Sequence, residues 1–270
     1  MKTIGDIILQ DSNRGMKELS SSYPFLKNTP LKAADELKKL KKGTVFIYTG
    51  FFVNHSAETD GPIGAYFLYK TLKKMGFNPI IITDKYCKDF FPKQKIIYIP
   101  TGKNPLNDYK KLLNKYKPVA HISIERCGKN TKGAYLNHKG EDISAFSADI
   151  DELFKLGGEN SLTIAVGDGG NEIGMGNFSS FFKEKNTPSY CNVTCDIPIV
   201  ASVSNWGAYA LIASIDKESI PTFEEADSYL EYIVSKGAVD GIYGLSKKSV
   251  DAKDWNLEKE ILSLLKSYMV

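Results

Sequence analysis

The chain has 270 residues, 42% hydrophobic and 25% charged, with a formal net charge of +3; this suits one large globular domain over 1–270 and argues against a nucleic-acid surface. No apolar run approaches the roughly 20 residues of a membrane helix, and the opening MKTIGDIILQDSN makes a poor signal peptide, so a cytoplasmic protein is expected. Cys87, Cys127, Cys191 and Cys195 do not form a disulfide framework, and Cys191 and Cys195 lack the second Cys or His pair that a zinc site needs.

In chain order, a Val/Ile-rich run predicts a strand over 44–49 and helical spacing predicts a helix over 62–75, with Gly76 as its C-terminal stop. Strands follow at 80–83 and 95–99, a helix at 107–116, a strand at 119–124 and a helix at 150–156. The remaining elements are strands at 162–166 and 197–203 and helices at 206–215, 223–235 and 257–268. The strands are mostly continuous apolar runs, as parallel strands covered on both faces require. This alternation argues for an α/β fold: a doubly wound, mostly parallel sheet with helices on both faces, a three-layer sandwich.

Such sheets bind ligands beyond the carboxyl ends of their strands, near a topological switch point. Four polar, glycine-bearing segments fall there. In TGFFVNHSAETDGPIGA (49–65), Thr49, Glu58, Asp60 and Gly61 are candidates; the competing reading is that Thr59 or Asp60 merely caps the helix. HISIERCGKNTKGAYLNHKGEDIS (121–144) is too long for an idle loop, and it offers Glu125, Arg126, Lys132, Tyr135, Asn137 and Asp142. His138 has a suitable ordinary pKa, but a lone surface histidine is the commoner situation. All but two of the 35 basic side chains are lysine. The exceptions, Arg14 and Arg126, suit a place where a planar fork grips a carboxylate, and Arg126 is the better placed for it.

IAVGDGGNEIGMGN (164–177) supplies Asp168, Gly169, Gly170, Asn171, Glu172 and Asn177. Its glycines do not make G-x-G-x-x-G, so dinucleotide binding is poorly supported. GDGGNE also resembles the last acidic motif of haloacid-dehalogenase-type phosphatases, which points to a Mg²⁺-dependent phosphohydrolase. That reading needs an early Asp-x-Asp at a strand end, whereas Asp149-Ile150-Asp151 opens a helix. Asp168 and Glu172 still offer hard oxygen ligands for Mg²⁺. A glycine turn with Asp168 and Asn171 bonding the backbone is the plain alternative. VSNWGAYA (203–210) adds Ser204 or Asn205 as a helix cap and Trp206 as a pocket wall or a core residue.

Together ETDGPIGA (58–65), SIERCGKNTKGAYLNHKGEDIS (123–144), VGDGGNEIGMGN (166–177) and VSNWGAYAL (203–211) resemble the D-glutamate cyclase C-terminal-domain-like family. DSNRG (11–15), taken as a first helix, is similar to that family's opening segment. Animal members carry a further N-terminal domain and a mitochondrial address, so a stand-alone bacterial-type version is expected here. The resemblance implies cyclisation of D-glutamate, or a related amino dicarboxylate, to 5-oxo-D-proline with loss of water.

On that reading Arg126, with Arg14, holds the α-carboxylate. One of Glu58, Asp60, Asp168 and Glu172 is the general base; another, protonated or bound to Mg²⁺, helps the oxygen leave. The N–H groups of the glycine turn stabilise the oxyanion. Two other readings remain: a carboxylate binder without turnover, and the phosphohydrolase. The expected partner is a small molecule, with neither nucleic acid nor membrane, and self-association into a homo-oligomer is left open.

Overall fold

The computed structural model describes residues 2–12, 14–187 and 189–268. Three helices, α1 (Ile4–Ile8), α2 (Met16–Ser22) and α3 (Thr29–Lys39), precede strand β1 (Thr44–Tyr48). A short hairpin, β2 (Phe52–Val53) and β3 (Ser56–Ala57), leads to α4 (Pro62–Lys74). Then come β4 (Asn78–Thr83), β5 (Ile96–Tyr98), α5 (Leu106–Tyr116), β6 (Pro118–Ile124) and α6 (Ile150–Gly158). The chain ends through β7 (Leu162–Gly167), α7 (Ser179–Glu184), β8 (Ile197–Val200), α8 (Ser204–Ile215), α9 (Phe223–Ser235) and α10 (Asn256–Ser267).

Six of the strands form one sheet in the order β5-β4-β1-β6-β7-β8, and every neighbouring pair is parallel. The chain winds outward from β1 to one edge, then returns and winds from β6 to the other. The switch point therefore lies between β1 and β6. The expected doubly wound sandwich is the observed fold.

Period-two alternation along β1 divides the core. Val45 and Ile47 pack on one face with α1, α3, α4, α8, α9 and α10. Phe46 and Tyr48 pack on the other with α2, α5, α6 and α7. Helix α8 is buried along its whole length, which is why its sequence is apolar all round rather than striped. His121, on β6, belongs to this interior: Tyr48 Oη lies 2.5 Å from its Nδ1, and burial pushes it down to about 3, so it is neutral. Its ring lies against α6 where a Cβ on Gly157 would come within 2.0 Å, so that helix position admits only glycine.

The N-terminal region departs from expectation. Of residues 11–15, Asn13 lies outside the described residues and the other four are not helical: Asp11 (φ +50°) and Gly15 (φ +81°) turn the chain between α1 and α2. The last expected strand stops at Val200, and the next helix begins two residues early, at Ser204.

Candidate functional site

The ends of β1, β6 and β7 bring three polar segments to the switch point. After β1, Gly61 (φ +90°) turns the chain into α4; a Cβ there would meet Glu125 Cβ at 2.7 Å and the Ile124 carbonyl at 2.9 Å. After β6, Glu125 itself adopts φ +46°. The turn sends consecutive side chains to different surroundings. Glu125 accepts a 2.5 Å bond from Ser204 Oγ at the start of α8. Arg126 enters the interior, donating to Asp84 (2.7 Å) and to the carbonyls of Gly50 (2.5 Å) and Ala148 (2.8 Å).

Six buried carboxyl groups gather here: Glu58, Asp60, Glu125, Asp168, Glu172 and Asp251. Arg14 stands among them, its Nη2 bonded to both Asp168 and Asp251. Three of the acids are well supplied with donors or a cation. Asp60 accepts backbone N–H groups of Gly61 (2.9 Å), Ser204 (2.7 Å) and Asn205 (2.7 Å). Glu172 accepts those of Gly169 (2.9 Å) and Gly170 (2.8 Å). Asp251 has Arg14. Asp168 uses one oxygen on Arg14 while its buried Oδ1 has no partner. Among the described residues, Glu125 is held only by Ser204 and no donor reaches Glu58.

These contacts set the proton affinities. Burial pushes the Glu58 carboxyl well above its ordinary range, and Asp251 and Asp60 push it further against the pull of Arg14. Burial likewise raises Glu125, with Glu172 and Glu58 adding to it. Burial raises Asp168 too, opposed by Arg14. Asp60 is pushed up to about 7 by burial and Asp251, although its backbone donors favour the ionised form. So many acids around one guanidinium cannot all be ionised, and burial with few donors favours the protonated form at Glu58 and at Glu125, which has only the Ser204 hydroxyl.

A divalent cation is the other way to balance such charge. Carboxylate oxygens of Asp60, Asp168 and Asp251 lie within 4.8 Å of one another, as do those of Glu125, Asp168 and Glu172. The spacing and hard oxygen donors fit Mg²⁺. Against that, Arg14 stands between Asp168 and Asp251, and Asp60 and Glu172 are committed to backbone N–H groups.

A cavity of about 260 Å³ opens above this floor. Arg14, Glu58, Glu125, Asn171 and Asp251 line its polar side, with Asn137, His138 and Asp142 from the long loop. Phe52, Ile143, Phe146, Ile242 and Tyr243 make an apolar wall. Burial and Arg14 hold His138 below its usual range.

Other expected site residues are placed differently. Arg126 is spent on Asp84 and two carbonyls and does not line the cavity, whereas Arg14 does. Trp206 is no pocket wall: it lies in the core, its Nε1 donating to Glu258 at 2.6 Å. The N–H groups of Gly169 and Gly170, expected at an oxyanion, are held by Glu172. Tyr135 bonds Asp151, Asn177 bonds the Cys195 backbone at both N–H (2.8 Å) and carbonyl (2.9 Å), and Lys132 is exposed. Thr49 is buried beneath the site with its hydroxyl unpartnered. At the start of α4, Asp60 reaches only the Gly61 N–H (2.9 Å), which it shares with Asn205 (3.0 Å); Asn205 also accepts from Gly64 (2.8 Å) within the first turn. Asp149 binds Asn104 and Tyr109 rather than joining Asp168, so the phosphatase arrangement is not assembled.

Asp251 is the residue that sequence reasoning missed. It sits in the irregular segment between α9 and α10, with no glycine turn or strand end to mark it.

Fold and site together define a doubly wound α/β protein with a carboxyl-lined cavity at its switch point. The chain belongs to the D-glutamate cyclase-like, C-terminal family, whose model matches residues 4–266. It is 29% identical over 238 residues to the human mitochondrial D-glutamate cyclase; the match covers 77% of this chain and 37% of that protein. The chain thus spans well under half the length of that relative. A solved Bordetella bronchiseptica enzyme, WbmH in complex with NAD+, is 14% identical over 47% of this chain and 39% of that one; its TM-score of 0.27 is too low to carry an argument. Among the described residues no helix is long and apolar enough to cross a membrane.

Proposed function

We propose that this chain cyclises D-glutamate, or a closely related amino dicarboxylate, to 5-oxo-D-proline with release of water. The observation that carries this reading is the pair Glu58 and Glu125: two buried, proton-retaining carboxyls that line the cavity beside Arg14 and have almost no donors from the protein. Family membership supports the same chemistry.

Arg14 uses Nη2 on Asp168 and Asp251, which leaves the N–H groups of Nη1 to hold the substrate α-carboxylate. Held folded, the substrate brings its amine to its own γ-carboxyl carbon, so proximity lowers much of the barrier. The ionised member of the Glu58/Glu125 pair takes a proton from the ammonium, and the amine nitrogen attacks the γ-carboxyl carbon. The protonated member gives its proton to the γ-oxygen, which removes the charge that resists attack. Both protons lost by nitrogen finish on the departing oxygen, which leaves as water. The pair ends with the one proton it began with.

The test is incubation of the purified chain with D-glutamate and, separately, L-glutamate, followed by chiral chromatography for 5-oxoproline. Product from D-glutamate that is lost in Glu58→Gln and Glu125→Gln is the expected result. Binding of D-glutamate without product would replace this reading with that of a carboxylate-binding protein.

A further inference from the structure

One wall of the cavity is apolar, made by Phe52, Ile143, Phe146, Ile242 and Tyr243, and glutamate offers it only a short methylene chain. Phe52 and Phe146 stack there at 4.5 Å between centroids and 9° between planes, and Tyr86 braces Phe52 at 4.6 Å. Phe146, Ile242 and Tyr243 are 40%, 38% and 48% exposed, and all three line this one opening. Isolated exposed apolar side chains need no explanation, but several converging on the mouth of a polar pocket mark a binding surface.

Charge gives the second argument. Six buried carboxyls surround the floor and Arg14 is already shared between two of them. A ligand with two carboxylates brings more negative charge into that field than one whose γ-carboxyl is masked. Masking it as an amide removes that charge and leaves the bond-forming atoms unchanged.

We propose that the site also takes γ-D-glutamyl amides of aromatic amines, with the amine portion seated against Phe52, Phe146 and Tyr243. This rests on the cyclase reading of the same pocket. The α-amine loses a proton to the ionised carboxyl and forms its bond to the γ-carbonyl carbon. The bond from that carbon to the amide nitrogen breaks, and the leaving nitrogen takes a proton from the protonated carboxyl. The products are 5-oxo-D-proline and the free arylamine; the second ammonium proton passes to solvent. No oxidant, reductant or co-reactant enters.

The experiment follows γ-D-glutamyl-p-nitroanilide by released p-nitroaniline and by 5-oxoproline, beside free D-glutamate and enzyme-free controls. The expected result is both products in equal amounts, with kcat/KM above that for free D-glutamate. Phe146→Ala should lower the anilide-to-glutamate ratio of kcat/KM by roughly three- to tenfold, the scale of one aromatic contact; Tyr243→Ala provides a second variant at an exposed position. Turnover of D-glutamate without the anilide overturns this inference and leaves the cyclase reading standing. Turnover of the anilide alone keeps the inference and removes dehydration of free glutamate as the reaction. Failure of both removes both, and a ratio unchanged in either variant overturns the seat assigned to the aromatic wall.

Discussion

Asp60 and Asn205 cap each other's helices. Asn205 Oδ1 accepts the N–H groups of Gly61 and Gly64 at the start of α4, at 3.0 and 2.8 Å. Asp60 accepts those of Ser204 and Asn205 at the start of α8, both at 2.7 Å. The two helices come close enough for a Cβ on Gly64 to meet Ala208 Cβ at 2.6 Å. This cross-brace sets the positions of Glu58, two residues before Asp60, and of Ser204, the donor to Glu125. The carboxylate also lies where the α8 dipole favours negative charge.

Removing the amide from this brace leaves the buried Gly64 N–H without an acceptor, while the Gly61 N–H keeps Asp60 Oδ1 at 2.9 Å. Asn205→Ala should therefore lower the unfolding free energy by about 1–3 kcal/mol. Asn205→Asp, which keeps an acceptor, should cost less than the alanine unless the charge it sets beside Asp60 dominates. Urea unfolding reads both. The double variant with Asp60→Asn should be non-additive, because each residue supports the backbone that the other caps.

The two arginines should separate into different phenotypes. Lysine in place of Arg14 supplies a point charge where a fork must serve Asp168, Asp251 and a substrate carboxylate. Arg14→Lys should lose roughly 2–3 kcal/mol of transition-state binding, on the order of 100-fold in kcat/KM. Arg126→Lys keeps a charge for Asp84 but loses the fork that serves the Gly50 and Ala148 carbonyls, and should cost roughly 1–3 kcal/mol of stability. Kinetics and urea unfolding on both variants check the split. Retention of full activity by Arg14→Lys would remove Arg14 from the substrate grip.

The sheet was legible because strands buried on both faces must be continuous apolar runs, and 44–49, 119–124 and 162–166 read that way at once. The polar segments at their ends likewise gave the location of the site. Side-chain direction was not legible. Glu125 and Arg126 are adjacent, yet a left-handed Glu125 sends one to the cavity and the other to Asp84. Nothing in "ER" announces that turn. Trp206 follows a strand end, as a pocket residue would, but helix α8 is enclosed on all sides and takes the indole inward. Asp251 reaches the cluster from an irregular segment far along the chain, a contact that only tertiary folding makes.

Chelation tests the alternative way of balancing the acids. Arg14 and the backbone N–H groups already engage Asp168, Asp251, Asp60 and Glu172. Cyclisation should therefore survive EDTA, with thermal stability unchanged. Loss of activity that Mg²⁺ restores, together with metal release from Asp168→Asn measured by elemental analysis, would instead make Asp168 a ligand.

The pH profile of kcat/KM follows from the direction of the Glu58 and Glu125 shifts. Burial and neighbouring acids raise the proton affinity of both carboxyls above the ordinary carboxylate range, and the proposed reaction needs one of them protonated. Activity should fall as pH rises through that elevated range, when the proton donor is lost. It should also fall in acid, when the base is protonated. Glu125→Gln should abolish the alkaline limb or the activity itself; an unchanged limb in an active variant would exclude Glu125 as the donor.

Glu258 makes a separate prediction about stability. It is buried between α8 and α10, with Oε2 accepting from Trp206 Nε1 at 2.6 Å and Oε1 unpartnered. Burial pushes it from 4.5 up to about 7, with Tyr209 and the Trp206 N–H pulling the other way. A carboxyl whose folded pKa is raised binds its proton more tightly in the native state. Its contribution is fully present below the unfolded pKa and is lost as pH rises through the folded one. At 1.36 kcal/mol per unit, roughly 3 kcal/mol disappears across that window. Glu258→Gln cannot ionise and keeps an oxygen for Trp206. The stability difference between variant and wild type, measured in urea at pH 5 and pH 8 (about two units below and one above the shifted value), should move in the variant's favour as pH rises. Parallel pH dependence in the two proteins would show that the Glu258 proton plays no part in holding α10 to the core.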